Sequence, residues 1–338
     1  MSPKLLRVVE RVKRDPEVRL TSLAHLLDED ALGRAFGRLR KDAAVGVDGV
    51  TKEEYGQELE RNLRSLHERL RSKRYRHLPT RRVHIPKEKG KTRPIGISSI
   101  EDKVVQGALR EVLEAVYEVV FRDCSYGFRP GRSAHGALRT LNRALARGEG
   151  NWILEADIQT FFDSIDRKML SEMLRERIAD PSLLRLVGKC LHVGVLDGEE
   201  YSEPDVGTVQ GSVLSPLLGN VYLHHVLDLW FERDVLPRMR GKAHLIRYAD
   251  DFVIAFERED DAKRVERVLG RRFERFGLKL HPYGVSLRLA RVRRRPFCAP
   301  WVQRDWNLSI SRPTAGRAAG RAPGSWLQRR SGASWRRS

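Results

Sequence analysis

The chain has 338 residues, of which 41% are hydrophobic, with a formal net charge of +19 and a pI near 10.3. That length supports two or three domains and a sizeable core, and the charge points to polyanions, above all nucleic acid. Three cysteines (Cys124, Cys190, Cys298) without metal-ligand spacing, a charged N-terminus and the lack of a membrane-length apolar run argue against a disulfide framework, a secretory leader and a membrane partner, so a soluble, cytoplasmic protein is expected.

Residues 1–75 read as highly charged helices, with Leu59, Leu63, Leu66 and Leu70 near helical spacing. RRVHIPKEKGKTRPIGIS (81–98) reads as two strands around a basic turn at KEKGK. Ser98, with Glu101 three residues on, gives a capping-box pattern. The helix it starts, over about 101–120, should bury Val105, Leu109, Val112, Val116 and Val120. SYGFRPGRS (125–133) is a loop, followed by a helix over about 135–146. WILEAD (152–157) is a strand ending at Asp157, and a further helix begins near Arg167. GTVQGSVLSP (207–216) is a glycine-rich loop whose Ser215 and Pro216 suit an N-cap and first helical residue. The helix that follows buries Leu217, Val221 and Leu227 and runs to Trp230. EDDAKRVERVLGRRFERFG is an amphipathic helix closed by Gly277.

Before that last helix lies RYADDF (247–252), with strand-like HLIRY upstream and FVIAF downstream. Two aspartates at a hairpin tip have two readings. Asp is common in tight turns because its side chain bonds nearby backbone groups. Alternatively, two close carboxylates repel each other and a divalent cation relieves the repulsion; oxygen ligands suit Mg²⁺. The element order from 152 to 276 suggests an antiparallel sheet backed by helices, in which Asp157 could sit beside Asp250 and Asp251.

From Tyr283 to Ser338 the chain has thirteen Arg, no Lys and a single acid, Asp305, so this stretch carries +12 of the +19. Neither helical nor strand periodicity is legible in it. It reads either as a disordered RNA-binding arm or as out-of-frame translation after a frameshift near codon 283. For the second reading, codons can be chosen for PTAGRAAGRAPGSW (313–326) so that a start one nucleotide earlier yields THCWARSRKGAWVV.

Five ordered segments, IPKEKGKTRPIGI (85–97), SYGFRPGRS (125–133), EADIQTFFDSID (155–166), GTVQGSVLSPLLGN (207–220) and RYADDFVIAF (247–256), resemble a group II intron-type reverse transcriptase/maturase, a bacterial retroelement protein. The likeness covers about residues 25–282. It implies an α+β fold, the fingers and palm of a right-hand polymerase with an antiparallel palm sheet backed by helices. The expected parts are an N-terminal helical extension and start of the fingers (1–80), fingers (81–150), palm (151–282) and an Arg-rich tail (283–338) in place of an intact thumb. The implied activity is RNA-directed DNA synthesis from a DNA primer and dNTPs on an RNA template, expected to be intron RNA. The resemblance makes Asp157, Asp250 and Asp251 catalytic. With the Ile158 carbonyl they are expected to hold two Mg²⁺ ions, Mn²⁺ being a substitute.

Lys87, Arg93 and Gln210 match the residues around the incoming nucleotide, and Phe162 matches an aromatic gate against a 2′-OH. Tyr248, Arg129 and Arg132 are expected at the primer and template. The plainer readings are a solvated basic turn for Lys87 and Arg93, core packing for Phe161 or Phe162, and solvation for the loop arginines. Val209, Ser212 and Gly219 depart from the family's usual Pro, Gly and Ala. After LKLHP (278–282) the sequence runs YGVSLRLA in place of a Lys-containing segment, and no thumb, DNA-binding or endonuclease module is legible. Three rivals stand beside polymerisation: a maturase that stabilises folded intron RNA for splicing, an inactive truncated remnant, and a reverse transcriptase recruited to another role such as phage defence.

Overall fold

α5 (Ile100–Tyr117) is the internal axis of this fold. Thirteen of its residues are buried, and α1 (Pro3–Arg14), α2 (Glu29–Arg38) and α10 (Ser215–Leu223) pack around it. The computed structural model describes residues 1–86, 92–198, 200–202, 206–208, 211–281 and 284–290. Residues 1–294 form one compact unit. The α5 cap is Ser99, one residue later than the sequence pattern suggests. Its hydroxyl accepts from the Asp102 N–H at 3.0 Å. The Asp102 carboxylate in turn takes the hydroxyls of Ser99 at 2.7 Å and of buried Tyr75 at 2.5 Å. Residue 102, not 101, therefore completes the cap, because its carboxylate has buried partners on two sides.

The other N-terminal helices, α3 (Lys52–Gln57) and α4 (Leu59–Arg71), follow the expected spacing. Leu63 and Leu66 are buried, while Leu59 and Leu70 pack at the core's edge. β1 (Thr80–Pro86) and β2 (Thr92–Ile97) form the expected antiparallel pair. The basic turn between them lies outside the described residues. β1 also pairs in parallel with β4 (Val195–Asp197), which pairs with β5 (Glu200–Ser202), giving the order β2-β1-β4-β5.

The second sheet carries the chemistry. β3 (Trp152–Ala156) lies at its centre, between β7 (Asp251–Phe256) and β8 (Ser286–Leu289), and β6 (Ala243–Tyr248) lies outside β7. Every neighbouring pair is antiparallel. α11 (Glu259–Glu274) covers one face, stacking Phe273 on Phe252 with ring centres 5.6 Å apart. α6 (Ala134–Ala146) packs against β6 and β7. α7 (Phe161–Ser164), α8 (Arg167–Arg175) and α9 (Pro181–Leu191) connect β3 to the first sheet. Past α10 the chain continues through two wide π-helical stretches, His224–Asp228 and Phe231–Val235. Such bulges are common at functional sites.

Two further sequence expectations need correction. Ser215 is the first residue of α10, with Leu214 before it and no side-chain cap bond. More consequentially, the tail expected from residue 283 begins with a palm strand. Ser286–Leu289 pairs with β3 from Glu155↔Ser286 to Trp152↔Leu289, and Leu287 packs against the core. Four alternating residues, Ser-Leu-Arg-Leu, suffice for an edge strand, but they are too few to show as a period beside so many arginines. The disorder expected from residue 283 therefore does not hold at Ser286–Leu289. Residues 291–338 lie outside the described residues.

Candidate active site

Strand register brings the acidic residues to one end of the second sheet. The β3–β7 ladder ends at Ala156↔Phe252, so the next rung sets Asp157 level with Asp251. The β6–β7 hairpin closes at Tyr248↔Asp251, leaving Ala249 and Asp250 as a two-residue loop. Ala249 takes the left-handed conformation at φ 58°, as the first position of a tight hairpin turn requires. Gly127 of the SYGFRPGRS loop lies directly against this turn. A Cβ added there would stand 2.2 Å from the Ala249 nitrogen, so only glycine permits the approach.

Asp157 is exposed and Asp250 and Asp251 are half-buried. Burial, together with the charge of Asp157, raises the Asp250 carboxyl above the usual carboxylate range, opposed by its own backbone hydrogen bond and by Arg93 and Arg247. Burial likewise raises Glu155, two residues before Asp157. Ile158 completes a donor set. It forms an antiparallel bridge with Leu280, flanked by Gln159 N–H to Lys279 O and His281 N–H to Asp157 O, both at 2.8 Å. In that pattern the N–H and C=O of Ile158 itself face away from Leu280, toward the β7 side. Carboxylates crowded on two strand ends, with a backbone carbonyl turned their way, fit a hard divalent cation. Among the described residues no three His, Cys, Asp or Glu side chains form a ready-made metal cluster. The fit therefore rests on carboxylates plus backbone oxygen.

The other expected residues divide. Arg93, on β2, is close enough to act on the Asp250 charge. Phe161 is buried and Phe162 half-buried, with ring centres 5.1 Å apart. Both abut Gly219, where an added Cβ would stand 3.0 Å from Phe161 Cε1 and 3.2 Å from Phe162 Cε1. The glycine-rich loop begins on the same segment, with Thr208 N–H donating to Phe162 O at 2.7 Å. Tyr248 is half-buried, its ring 6.4 Å from exposed Phe128. Arg129 turns inward, at 7% exposure. It donates to Glu118 and to the carbonyls of Arg122 and Ser125, and it lies over the Phe121 ring. It thus serves the loop's own folding, as a buried guanidinium must. Arg132 is partly exposed, paired with Asp123 and lying over Tyr126. Lys87 and Gln210 lie outside the described residues.

Sequence reasoning passed over Arg247, Asp228 and Asn220. Arg247 has no exposed surface and forks onto both Asp228 oxygens at 2.8 and 2.6 Å. The signal was present in the Arg at the start of RYADDF and in an Asp within the apolar run VLDLW.

A sheet end with carboxylates on two strands, within electrostatic reach of Arg93 on a two-strand hairpin, fits the palm-and-fingers class of nucleotidyl polymerases. The family model described as reverse transcriptase (RNA-dependent DNA polymerase) matches residues 85–287, and the chain belongs to that family. It is 34% identical over 272 residues to protein YkfC of Escherichia coli strain K12, covering 71% of each chain. It is 31% identical over 274 residues to the group II intron-encoded protein LtrA of Lactococcus lactis subsp. cremoris, covering 76% of this chain and 45% of that one. A 91 kDa protein in the cob intron of Schizosaccharomyces pombe matches at 38% over 208 residues, 61% of this chain and 25% of that one. The chain thus spans less than half the length of these two intron relatives, and its type within the family is that of group II intron proteins. The family works with divalent metal ions on a nucleic acid template and primer. Among the described residues no helix is long and apolar enough to cross a membrane.

Proposed function

We propose that this chain extends a DNA primer on an RNA template, with intron RNA as its natural template, in the cytoplasm of a bacterium. The supporting observation is the register that sets Asp157 beside the Ala249–Asp250–Asp251 turn, within electrostatic reach of Arg93. In this reading Asp157, Asp250, Asp251 and the Ile158 carbonyl hold two Mg²⁺ ions. Divalent ions held there would supply activation of the primer 3′-OH and charge neutralisation at the departing pyrophosphate.

The chain's own groups do the rest, and in phosphoryl transfer that is mostly positioning. Arg93, with Lys87, grips the triphosphate by charge-assisted hydrogen bonds. Phe162 stands beside the sugar and excludes a 2′-OH, and Gln210 lines the nucleotide's flank. Tyr248 supports the primer end next to the turn. Arg132 contacts template near the SYGFRPGRS loop. Fingers at 81–150 and palm at 151–290 follow from this assignment, with β8 added to the palm. The test is primer extension on an RNA template with Mg²⁺. Activity in the wild type and its loss in Asp250→Asn support the reading; equal activity in the two sinks it.

A maturase role is favoured by one further likeness, 32% identity over 106 residues to nuclear intron maturase 1, mitochondrial, of Arabidopsis thaliana. Asp250→Asn separates the two, because intron RNA binding does not need the carboxylate.

A further inference from the structure

We infer that Arg247 is a positioning residue for Asp250, acting through the peptide plane between Ala249 and Asp250. The inference rests on the reading of Asp250 as a metal carboxylate.

A guanidinium has five N–H donors in a fixed fork, and at Arg247 all five have partners. Nε and one Nη2 proton go to the two Asp228 oxygens, at 2.8 and 2.6 Å. The second Nη2 proton goes to Ser125 Oγ at 2.9 Å. The Nη1 protons go to Asn220 Oδ1 and to the carbonyl of Ala249, both at 2.9 Å. That carbonyl belongs to the peptide whose nitrogen is that of Asp250. Fixing it fixes the plane from which the Asp250 side chain departs.

The partners are themselves fixed. Asp228 ends the first π-helical stretch and is 1% exposed. Asn220, on α10, donates its side-chain N–H to Gly127 O at 2.8 Å, and Gly127 is the glycine pressed against Ala249. The backbone of Arg247 is held as well. Its N–H donates to Cys124 O and its C=O accepts from Tyr126 N–H, both at 2.8 Å. Helix, bulge and loop therefore converge on one carbonyl in a turn whose first residue holds a left-handed φ of 58°. A hairpin anchored only by its strands could rock at that turn. Positioning of reacting groups is sensitive at the scale of an ångström.

A plain structural role would also bury an ion pair here, and the two roles separate experimentally. Exchanging a buried pair for apolar residues of similar volume often leaves stability unchanged. The double variant Arg247→Met/Asp228→Leu removes the bond to Ala249 O without leaving an unpaired charge. Expected are an unfolding midpoint close to wild type and a kcat at least about ten-fold lower, in the range that small misplacements produce. The Mg²⁺ concentration for half-maximal extension should rise while the KM for dNTP stays unchanged. Wild-type kcat and Mg²⁺ dependence in a folded double variant overturn the inference. If the double variant does not fold, the same two readouts on Arg247→Lys decide it, since Lys keeps the charge but lacks the fork. Asp250→Asn runs alongside. If that variant keeps activity, the reading of Asp250 itself fails; if it is dead while the double variant is fully active, only the positioning role fails.

Discussion

Two buried aspartates hold two regions of this protein in opposite ways. Asp228 holds the catalytic hairpin (243–256) through a side chain, the Arg247 guanidinium. Asp180, just before α9, holds the N-terminal segment through backbone alone. Its carboxylate accepts from the N–H groups of Leu23 (2.7 Å), Ala24 (2.8 Å), Ser182 (2.9 Å) and Leu183 (3.1 Å). Leu20 adds backbone bonds to Arg177 O and from Ala179 N–H. In the proposed reading the first arrangement orients a reacting group, and removing one partner strands a buried charge. The second docks one segment on another, and its donors can return to water if the segment lifts. Damage to the hairpin should therefore appear in catalysis, and damage to the N-terminal contact in stability.

The largest expected effect is at the hairpin. Asp250→Asn should lower kcat by more than about 100-fold, the scale of losing one preorganised electrostatic group, without loss of RNA binding. Because burial and the charge of Asp157 disfavour the ionised form of half-buried Asp250, the same change should leave the metal-free fold as stable as before or more so. A thermal melt in chelator checks this, and a clear loss of stability there would blur the division between the two regions. Next comes Arg93→Ala, with a rise in the KM for dNTP worth about 1.5–3 kcal/mol, the usual loss of a charged hydrogen bond. An unchanged KM would return Arg93 to a solvated strand.

Asp180→Ala sharpens the other side. Loss of a helix cap costs about 1 kcal/mol, and the two bonds to Leu23 and Ala24 add to that. A fall in the unfolding midpoint of roughly 2–4 °C per kcal/mol is expected for a unit of this size. Extension per folded molecule should not change. Burial pushes the Asp180 carboxyl up, but four backbone donors outweigh it and hold the pKa below the usual value. The sign follows: its stabilisation is fully present above the unfolded pKa of about 3.9 and is lost as pH falls through the lower, folded value. The wild type should thus lose stability over that acid range more steeply than Asp180→Ala. Parallel acid curves would remove Asp180 from the account.

Much of this was legible in the sequence, for identifiable reasons. The hairpin showed because apolar strands flank Asp250 and Asp251, and α4 and α11 showed because their leucines and valines keep a helical period. The adjacency of Asp157 to the hairpin needed the β3–β7 register, which no local pattern carries. Arg247 was passed over, since an arginine in a strand carries no local sign of burial. Only its tertiary partners, 19, 27 and 122 residues away in sequence, reveal that it is buried. Arg129 misled in the same way, since a loop arginine gives no sign that the loop folds around it. β8 was hidden by its shortness and by the arginines that follow.

The smallest effect concerns Gly219, where the family's usual Ala is absent. Phe161 is 3% exposed and has little room to retreat, whereas Phe162 is only half-buried. A methyl at residue 219 would stand 3.0 and 3.2 Å from their Cε1 atoms, so a ring has to give by a few tenths of an ångström. The ring that can give is Phe162, and in the proposed reading a ring displaced from Gly219 narrows the space left for the sugar. Gly219→Ala should therefore tighten the gate, raising discrimination against ribonucleotides roughly three-fold, about 0.65 kcal/mol. Phe162→Ala should do the reverse and admit ribonucleotides. The comparison is the ratio of kcat/KM for dNTP to that for rNTP in the three proteins. If the ratio is the same in all three, Phe162 is part of the core, and the aromatic pair belongs with the docking contacts that support the fold without steering the reaction.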